Sequence, residues 1–109
     1  MKRNLKDIVP VSTSHKVGMK RVLLAAKESG CTITQIAITD FCAGETAEAH
    51  AHQDMQEGFY VMNGDLDIIL DGVVNHCHAE DFMYVTCGIT HELRAVTDVR
   101  ILTIGCEIR

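Results

Sequence analysis

The most informative part of the chain is GETAEAHAHQDMQEGFYVMNG, residues 44–64. Only one residue separates His50 from His52, so on a β-strand both imidazoles would point to the same face. The Ala, Glu and Met content of residues 46–56 also suits a helix, but histidines share a helix face only at spacings of three or four. We therefore predict a strand at these histidines, and a hairpin at Asn63-Gly64, a favoured two-residue turn.

An acidic residue and a third histidine would complete a metal site with this pair. Glu57 follows a short polar connection and opens the next predicted strand, where a turn would bring it beside His50 and His52 on a neighbouring strand. His91 opens another predicted strand. Three neutral imidazoles and one carboxylate suit Fe(II), Mn(II), Ni(II), Co(II) or Zn(II), and an octahedral ion would keep positions open for water or substrate.

The remainder of the chain also has the pattern of short β-strands. Its 109 residues are 47% hydrophobic, which is enough for one packed core. Apolar runs alternate with turn signals such as Asp71-Gly72, and this spacing predicts about eight to ten strands in an antiparallel sandwich or barrel. We expect a single all-β domain, with N-terminal strands and turns in residues 1–30 and the core barrel in residues 31–109.

Residues 44–64 closely resemble the first of the two sequence motifs of the cupin superfamily. The superfamily's first motif is G-x5-H-x-H-x4-E-x6-G, and all five fixed positions are filled at the right intervals by Gly44, His50, His52, Glu57 and Gly64. The resemblance implies a double-stranded β-helix, or jelly-roll barrel. It also implies that His50, His52, Glu57 and His91 bind one divalent transition metal ion inside the barrel.

The second motif, commonly G-D-x4-P-x-G-x2-H-x3-N, is matched more loosely. Asp81, Gly88 and His91 fit, whereas Glu80, Thr86 and Ala95 replace the glycine, the proline and the asparagine. These departures affect turn rigidity and one position that is not a ligand. Together the two motifs span residues 44–91.

Strand alternation from the matched positions predicts which neighbours face inward. These are Phe59 and Val61 from Glu57, Leu93 and Ala95 from His91, and Met83 and Val85 from Asp81. We therefore expect a mostly apolar pocket around the metal, suited to a small organic ligand, without an obvious inward lysine or arginine. Lys16, Lys20 and Lys27 could reach its mouth from the N-terminal segment.

Several other reactive residues are expected to have ordinary roles. His76 and His78 form a second His-x-His without a matching carboxylate, and we predict that both face outward while Cys77 faces the core. We expect His15 to be solvated in its polar segment and Cys87 to have a packing role, with metal or redox chemistry as the alternative. Tyr60 and Tyr84 are predicted to face outward.

Composition excludes other classes of function. The formal net charge is −5 and the sequence has no basic face, so we expect no nucleic-acid or membrane partner. The five cysteines do not form a disulfide pattern, which favours the cytoplasm. Apolar residues on outward strand faces predict a homodimer, with Phe82, Tyr84 and Ile68 in the interface.

The predicted function is a metal-dependent enzyme acting on a small polar metabolite, of the isomerase/epimerase or dioxygenase class. The alternative is a barrel of the same fold that binds or senses a metabolite without catalysis. The sequence assigns no catalytic residue beyond the metal ligands, because the cupin superfamily carries many reactions on one fold.

Overall fold

The computed structural model of the protein describes residues 1–108 and has two antiparallel β-sheets. Ten strands lie in this part of the chain: β1 Val11–Ser12, β2 Met19–Ala25, β3 Ile33–Phe41, β4 Thr46–His50, β5 Met55–Asn63, β6 Leu66–Leu70, β7 Val73–Cys77, β8 Phe82–Val85, β9 His91–Ala95 and β10 Val99–Glu107. A 3-10 turn, Leu5–Asp7, and one short helix, α1 Ala26–Ser29, accompany them. The all-β jelly-roll prediction is confirmed.

From β3 onward, most strands that follow one another along the chain lie in different sheets. One sheet has six strands in the order β1-β2-β3-β10-β5-β8, and the other has four in the order β4-β9-β6-β7. Consecutive strands such as β4 and β5 therefore lie in different sheets. The space between the sheets holds both the core and the candidate site.

The β5–β6 connection depends on a glycine. Gly64 has a φ of +83°, a left-handed conformation that side chains with a Cβ rarely adopt. A Cβ there would also lie 2.1 Å from the backbone oxygen of Asp98, which is too close for any side chain. Local conformation and the approach of the segment before β10 therefore fix this bend, but the predicted hairpin at Asn63-Gly64 is wrong, because β5 and β6 lie in different sheets.

The core confirms most of the predicted alternation. Phe59, Val61, Val85, Leu93 and Ala95 are buried between the sheets, and the half-buried Met83 packs against them. Burial of each large aliphatic or aromatic side chain contributes about 1.5–3 kcal/mol to folding.

One residue of the predicted interface is wrongly placed. Ile68 is completely buried, whereas Phe82 and Tyr84 are exposed as predicted. On β6 the inner face carries Leu66 and Ile68, and the half-buried Asp67 and Ile69 alternate with them. Because Ile68 and Ile69 are adjacent and equally apolar, the inward member of this pair is ambiguous in sequence.

No helix in residues 1–108 has the length and apolarity needed to cross a membrane.

Candidate metal centre

Four side chains meet between the two sheets, and we call them the His/Glu cluster: His50, His52, Glu57 and His91. One nitrogen or oxygen atom from each lies within 4.8 Å of the others. The structure therefore brings together all four residues that the sequence predicts as metal ligands. That they bind a metal stays a prediction.

The cluster draws on both sheets. His50 ends β4 and pairs directly with His91, the first residue of β9, in the four-stranded sheet. Glu57 reaches the cluster from β5 in the six-stranded sheet. The prediction that Glu57 lies on a neighbouring strand is wrong, because β4 and β5 lie in different sheets and Glu57 faces the histidines from the opposite side.

The prediction that one strand carries both His50 and His52 is also wrong. Strand β4 stops at His50, and His52 lies in the connection to β5. The backbone N–H of Gly88 donates a hydrogen bond of 2.7 Å to the His52 carbonyl. This bond anchors the connection against the loop before β9, so His52 is held in place without belonging to a strand.

Backbone carbonyls orient two of the imidazoles. Nδ1 of His50 lies 2.9 Å from the Glu48 carbonyl, and Nδ1 of His91 lies 3.0 Å from the Ile89 carbonyl. A carbonyl only accepts hydrogen bonds, so Nδ1 is the protonated nitrogen in both rings and Nε2 of the neutral ring carries the lone pair. This arrangement is typical of histidines that bind metals through Nε2.

The opposing atoms of Glu57 and the histidines are close enough to share a metal ion or a proton. Glu57 Oε1 lies 3.0 Å from His52 Nε2 and 3.3 Å from His91 Nε2. Glu57 Oε1 and His91 Nε2 are buried and have no hydrogen-bond partner among the described residues. Buried polar atoms without partners are costly, and two lone pairs facing each other are stabilised by a proton or a metal ion. The residues therefore fit a divalent metal.

Electrostatics agree with this fit. Burial alone would raise the pKa of Glu57, but the neighbouring histidines outweigh it, and the pKa is lowered. Burial lowers the pKa of His50. For His91, burial also acts to lower the pKa, but the Glu57 carboxylate and the Ile89 carbonyl more than offset it, so the pKa is raised. The cluster thus contains an ionised Glu57 carboxylate that faces the ring nitrogen atoms of the histidines.

A cavity of about 170 Å³ opens beside the cluster. The side next to the cluster includes His50, His52 and Glu57. The inner face of the six-stranded sheet contributes four polar residues, which we call the polar wall: Lys20, Gln35, Thr39 and Thr103. The prediction that no lysine faces the pocket is therefore wrong, although most of the lining surface is apolar as predicted.

His15 is also part of this site, contrary to its prediction as a solvated residue. Its ring centroid lies 4.3 Å from that of His50, and the side chain lines the cavity from the segment between β1 and β2. Sequence reasoning missed His15 and Gln35, which precede both motifs, and named Lys20 only as one of three lysines that could reach the mouth of the pocket. The one sequence signal for Lys20 was strand alternation, which puts Lys20 and Arg21 on opposite faces of β2. In the structure Arg21 pairs with Asp40 on one face, and Lys20 lies on the other.

The remaining predicted residues are not members of the cluster. His76 and His78 are exposed and contact Asp67 at 2.6 Å and Asp65 at 2.7 Å, and the Asp65 hydrogen bond raises the pKa of His78. Cys77 is buried as predicted. Cys87 is exposed, so its predicted packing role is wrong.

Comparison with known proteins assigns the chain to a family. The Cupin domain family matches residues 37–105, which include the whole His/Glu cluster. The chain therefore belongs to the cupin family. A comparison with curated proteins finds no match.

Solved structures share the fold at low sequence identity. A predicted oxalate decarboxylase from Thermotoga maritima has a TM-score of 0.91 and 18% identity, covering 99% of this chain and 100% of that one. Ectoine synthase from P. lautus has a TM-score of 0.83 and 22% identity, covering 97% and 77%. An RmlC-like cupin from Shewanella frigidimarina has a TM-score of 0.77 and 18% identity, covering 95% and 87%.

Proposed function

We propose that this cupin is a metal-dependent enzyme acting on a small polar metabolite, with one divalent transition metal ion bound by His50, His52, Glu57 and His91. The observation that carries the proposal is the pair of buried, unpartnered atoms, Glu57 Oε1 and His91 Nε2, which face each other at 3.3 Å. A core that needed only stability would fill this space with aliphatic side chains, because unpartnered polar atoms destabilise folding.

The proposed chemistry follows from the donor set and the cavity. A bound divalent ion would supply Lewis-acid polarisation of a substrate carbonyl or carboxylate. The chain itself orients its imidazoles through the Glu48 and Ile89 carbonyls and keeps Glu57 ionised. Thr39 and Thr103 offer hydroxyls to substrate oxygen atoms on the opposite wall. Isomerisation or epimerisation beside a carbonyl, and oxidation by O2, are the two reaction classes that we propose.

Metal content is the first test. Protein purified without an affinity tag should contain one transition metal ion per chain by elemental analysis. The double variant His50→Ala/His52→Ala should lose the ion and remain a folded β protein by circular dichroism. The matched control is His76→Ala/His78→Ala, which removes the exposed His-x-His and should keep the ion. Retention of metal by the first variant would contradict the site assignment.

Activity assays then separate the reaction classes. Oxygen consumption by the Fe(II)-loaded protein with a panel of diols and keto acids would identify a dioxygenase. Formation of isomeric products without oxygen consumption would identify an isomerase or epimerase. Tight metabolite binding with neither reaction would contradict catalysis and favour the barrel that binds or senses a metabolite.

We also propose that the protein is a cytoplasmic homodimer. The outer face of the six-stranded sheet exposes Tyr60, Phe82 and Tyr84 on β5 and β8, where Tyr60 pairs with Phe82 across the strands. Neighbouring exposed aromatic side chains favour association. Light scattering at micromolar protein should give twice the mass of the chain, and a monomer would contradict the dimer.

A further inference from the structure

We propose that Lys20 and Gln35 bind an anionic group of the substrate, so that the cavity takes a small metabolite with two carboxylate-like ends. One end would face the His/Glu cluster and the other would face Lys20. This inference rests on the proposed function, because it assumes that the cluster receives the first end. It adds the substrate class and a residue that determines specificity, and Lys20 lies outside both motifs.

The position of Lys20 in the sheet turns its side chain into the cavity. Lys20 on β2 pairs with Thr39 on β3, and Thr39 is a buried residue that also lines the cavity. The next residue, Arg21, faces the other way and lies 3.2 Å from Asp40. Among the cavity-lining residues within 1–108, Lys20 is the single lysine or arginine.

The charge of Lys20 has no opposite charge beside it. Its Nζ donates a hydrogen bond of 2.9 Å to the side-chain oxygen of Gln35, which is neutral. The salt bridges formed by residues 1–108 do not include Lys20. A partly buried ammonium with a neutral partner attracts an anion more strongly than an exposed, ion-paired lysine does.

The sheet register places Gln35 and Glu57 in one row, two strands apart, with Gly105 between them. Gln35 pairs with Gly105 on β10, and Gly105 pairs with Glu57 on β5. Two strand spacings separate the backbones of Gln35 and Glu57, which is about 10 Å. Gly105 carries no side chain, and a Cβ there would lie 2.3 Å from Thr34 Oγ1 and 2.9 Å from Met55 Cε. The Thr34 and Met55 side chains therefore occupy the space over Gly105, and a ligand reaching from Lys20 to Glu57 would pass against Met55, which lines the cavity.

Charge and volume together define the substrate class. A divalent ion beside the Glu57 carboxylate would leave one net positive charge, and Lys20 adds a second at the other end. A dianion would neutralise both. The cavity of about 170 Å³ has room for a small metabolite such as a short dicarboxylate.

The test compares malonate with malonamate, which has nearly the same shape but only one carboxylate. Zn(II)-loaded protein is titrated with each by calorimetry, and metal content is measured before and after. We expect wild type to bind malonate roughly tenfold or more tighter, as a charged hydrogen bond predicts. In Lys20→Met this preference should fall below about threefold, with malonamate binding and zinc content unchanged.

Two further variants provide controls. Lys27→Met removes an exposed lysine of α1 and should keep the wild-type preference, and Lys20→Arg should keep most of it because the positive charge remains. If Lys20→Met does not fold, acetylation of wild type decides: malonate should slow the acetylation of Lys20 but not of Lys27, as measured by mass spectrometry.

The outcomes separate this inference from the proposed function. A preference for malonate that persists in Lys20→Met, or is absent in wild type, overturns the inference while zinc binding by the cluster stands. If wild type binds no metal, the proposed function fails. Malonate binding is then measured on the metal-free protein. Weaker binding by Lys20→Met than by wild type supports the inference, and equal binding overturns it.

Discussion

The His/Glu cluster and the polar wall face the same cavity but are built differently. In the cluster, His50 and His91 pair directly across two strands, and backbone carbonyls fix both rings. On the polar wall, Lys20 and Gln35 meet through long side chains that contact each other. A cluster fixed by the backbone suits chemistry that tolerates little displacement, whereas long side chains can adjust to a ligand. We infer that the first region sets the chemistry and the second selects the substrate.

The largest expected effect tests whether metal binding belongs to the cluster alone. His91→Ala removes the most buried member, which is 2% exposed, and should weaken metal binding by about 1,000-fold, or about 4 kcal/mol. Thr103→Val on the polar wall keeps nearly the same shape and should leave metal affinity unchanged. Titration against a competing chelator measures both. Equal losses in the two variants would remove the distinction between the regions.

A pair of glycines tests how much the stability of the fold depends on the close approach at Gly64. Gly64 and Gly72 have nearly equal φ angles, +83° and +82°, but only Gly64 faces a close backbone oxygen. Gly64→Ala should therefore lower the free energy of unfolding by about 3 kcal/mol, and Gly72→Ala by about 1 kcal/mol. Thermal unfolding checks this, with a shift of about 4–8 °C per kcal/mol. Similar melting temperatures would mean that the Asp98 segment yields to the new side chain.

The pH dependence of metal binding gives a smaller effect. A metal binds the neutral imidazole, and the pKa of His91 is raised by the adjacent Glu57 carboxylate. Protons should therefore compete with the metal to a pH above the ordinary histidine value of about 6.5. Below the raised pKa, affinity should fall about tenfold per pH unit, which is about 1.4 kcal/mol. Chelator competition between pH 6 and 8 measures this, and a flat profile would contradict a protonated His91 in the metal-free protein.

The two regions also differ in how far they could be predicted from sequence. The cluster residues occupy fixed spacings within residues 44–91, so local pattern and family resemblance together identified them. The burial of Phe59 and Leu93 could also be predicted, because strand alternation is counted from Glu57 and His91. The spacing of His52 from His50 predicts a strand, but the strand ends at His50 and a hydrogen bond from Gly88 holds His52 instead.

The sequence could not single out Lys20 from the other two N-terminal lysines, because the position of the polar wall depends on long-range pairing. Lys20 lines the cavity because β2 pairs with β3, which pairs with β10, and this order is not contained in the local sequence of any strand. His15 comes close to His50 through a segment without regular structure. Neither contact has a short-range signal comparable to His-x-His, so both required the assembled sheet.

The smallest effect concerns a departure from the second motif, where Glu80 stands in place of glycine. Glu80 has a φ of +77°, a left-handed conformation that costs a side chain about 1–2 kcal/mol. Its side chain is exposed, and its backbone N–H bonds to the Val61 carbonyl at 2.7 Å, which glycine would retain. Glycine relieves this strain but loses about 0.5–1 kcal/mol of chain entropy on folding. Glu80→Gly should therefore raise the free energy of unfolding by about 0.5 kcal/mol, without changing metal content. Ala79→Gly, at a neighbour without positive φ, should lower it. If thermal unfolding shows the same decrease for both variants, the replacement at this motif position carries no backbone strain.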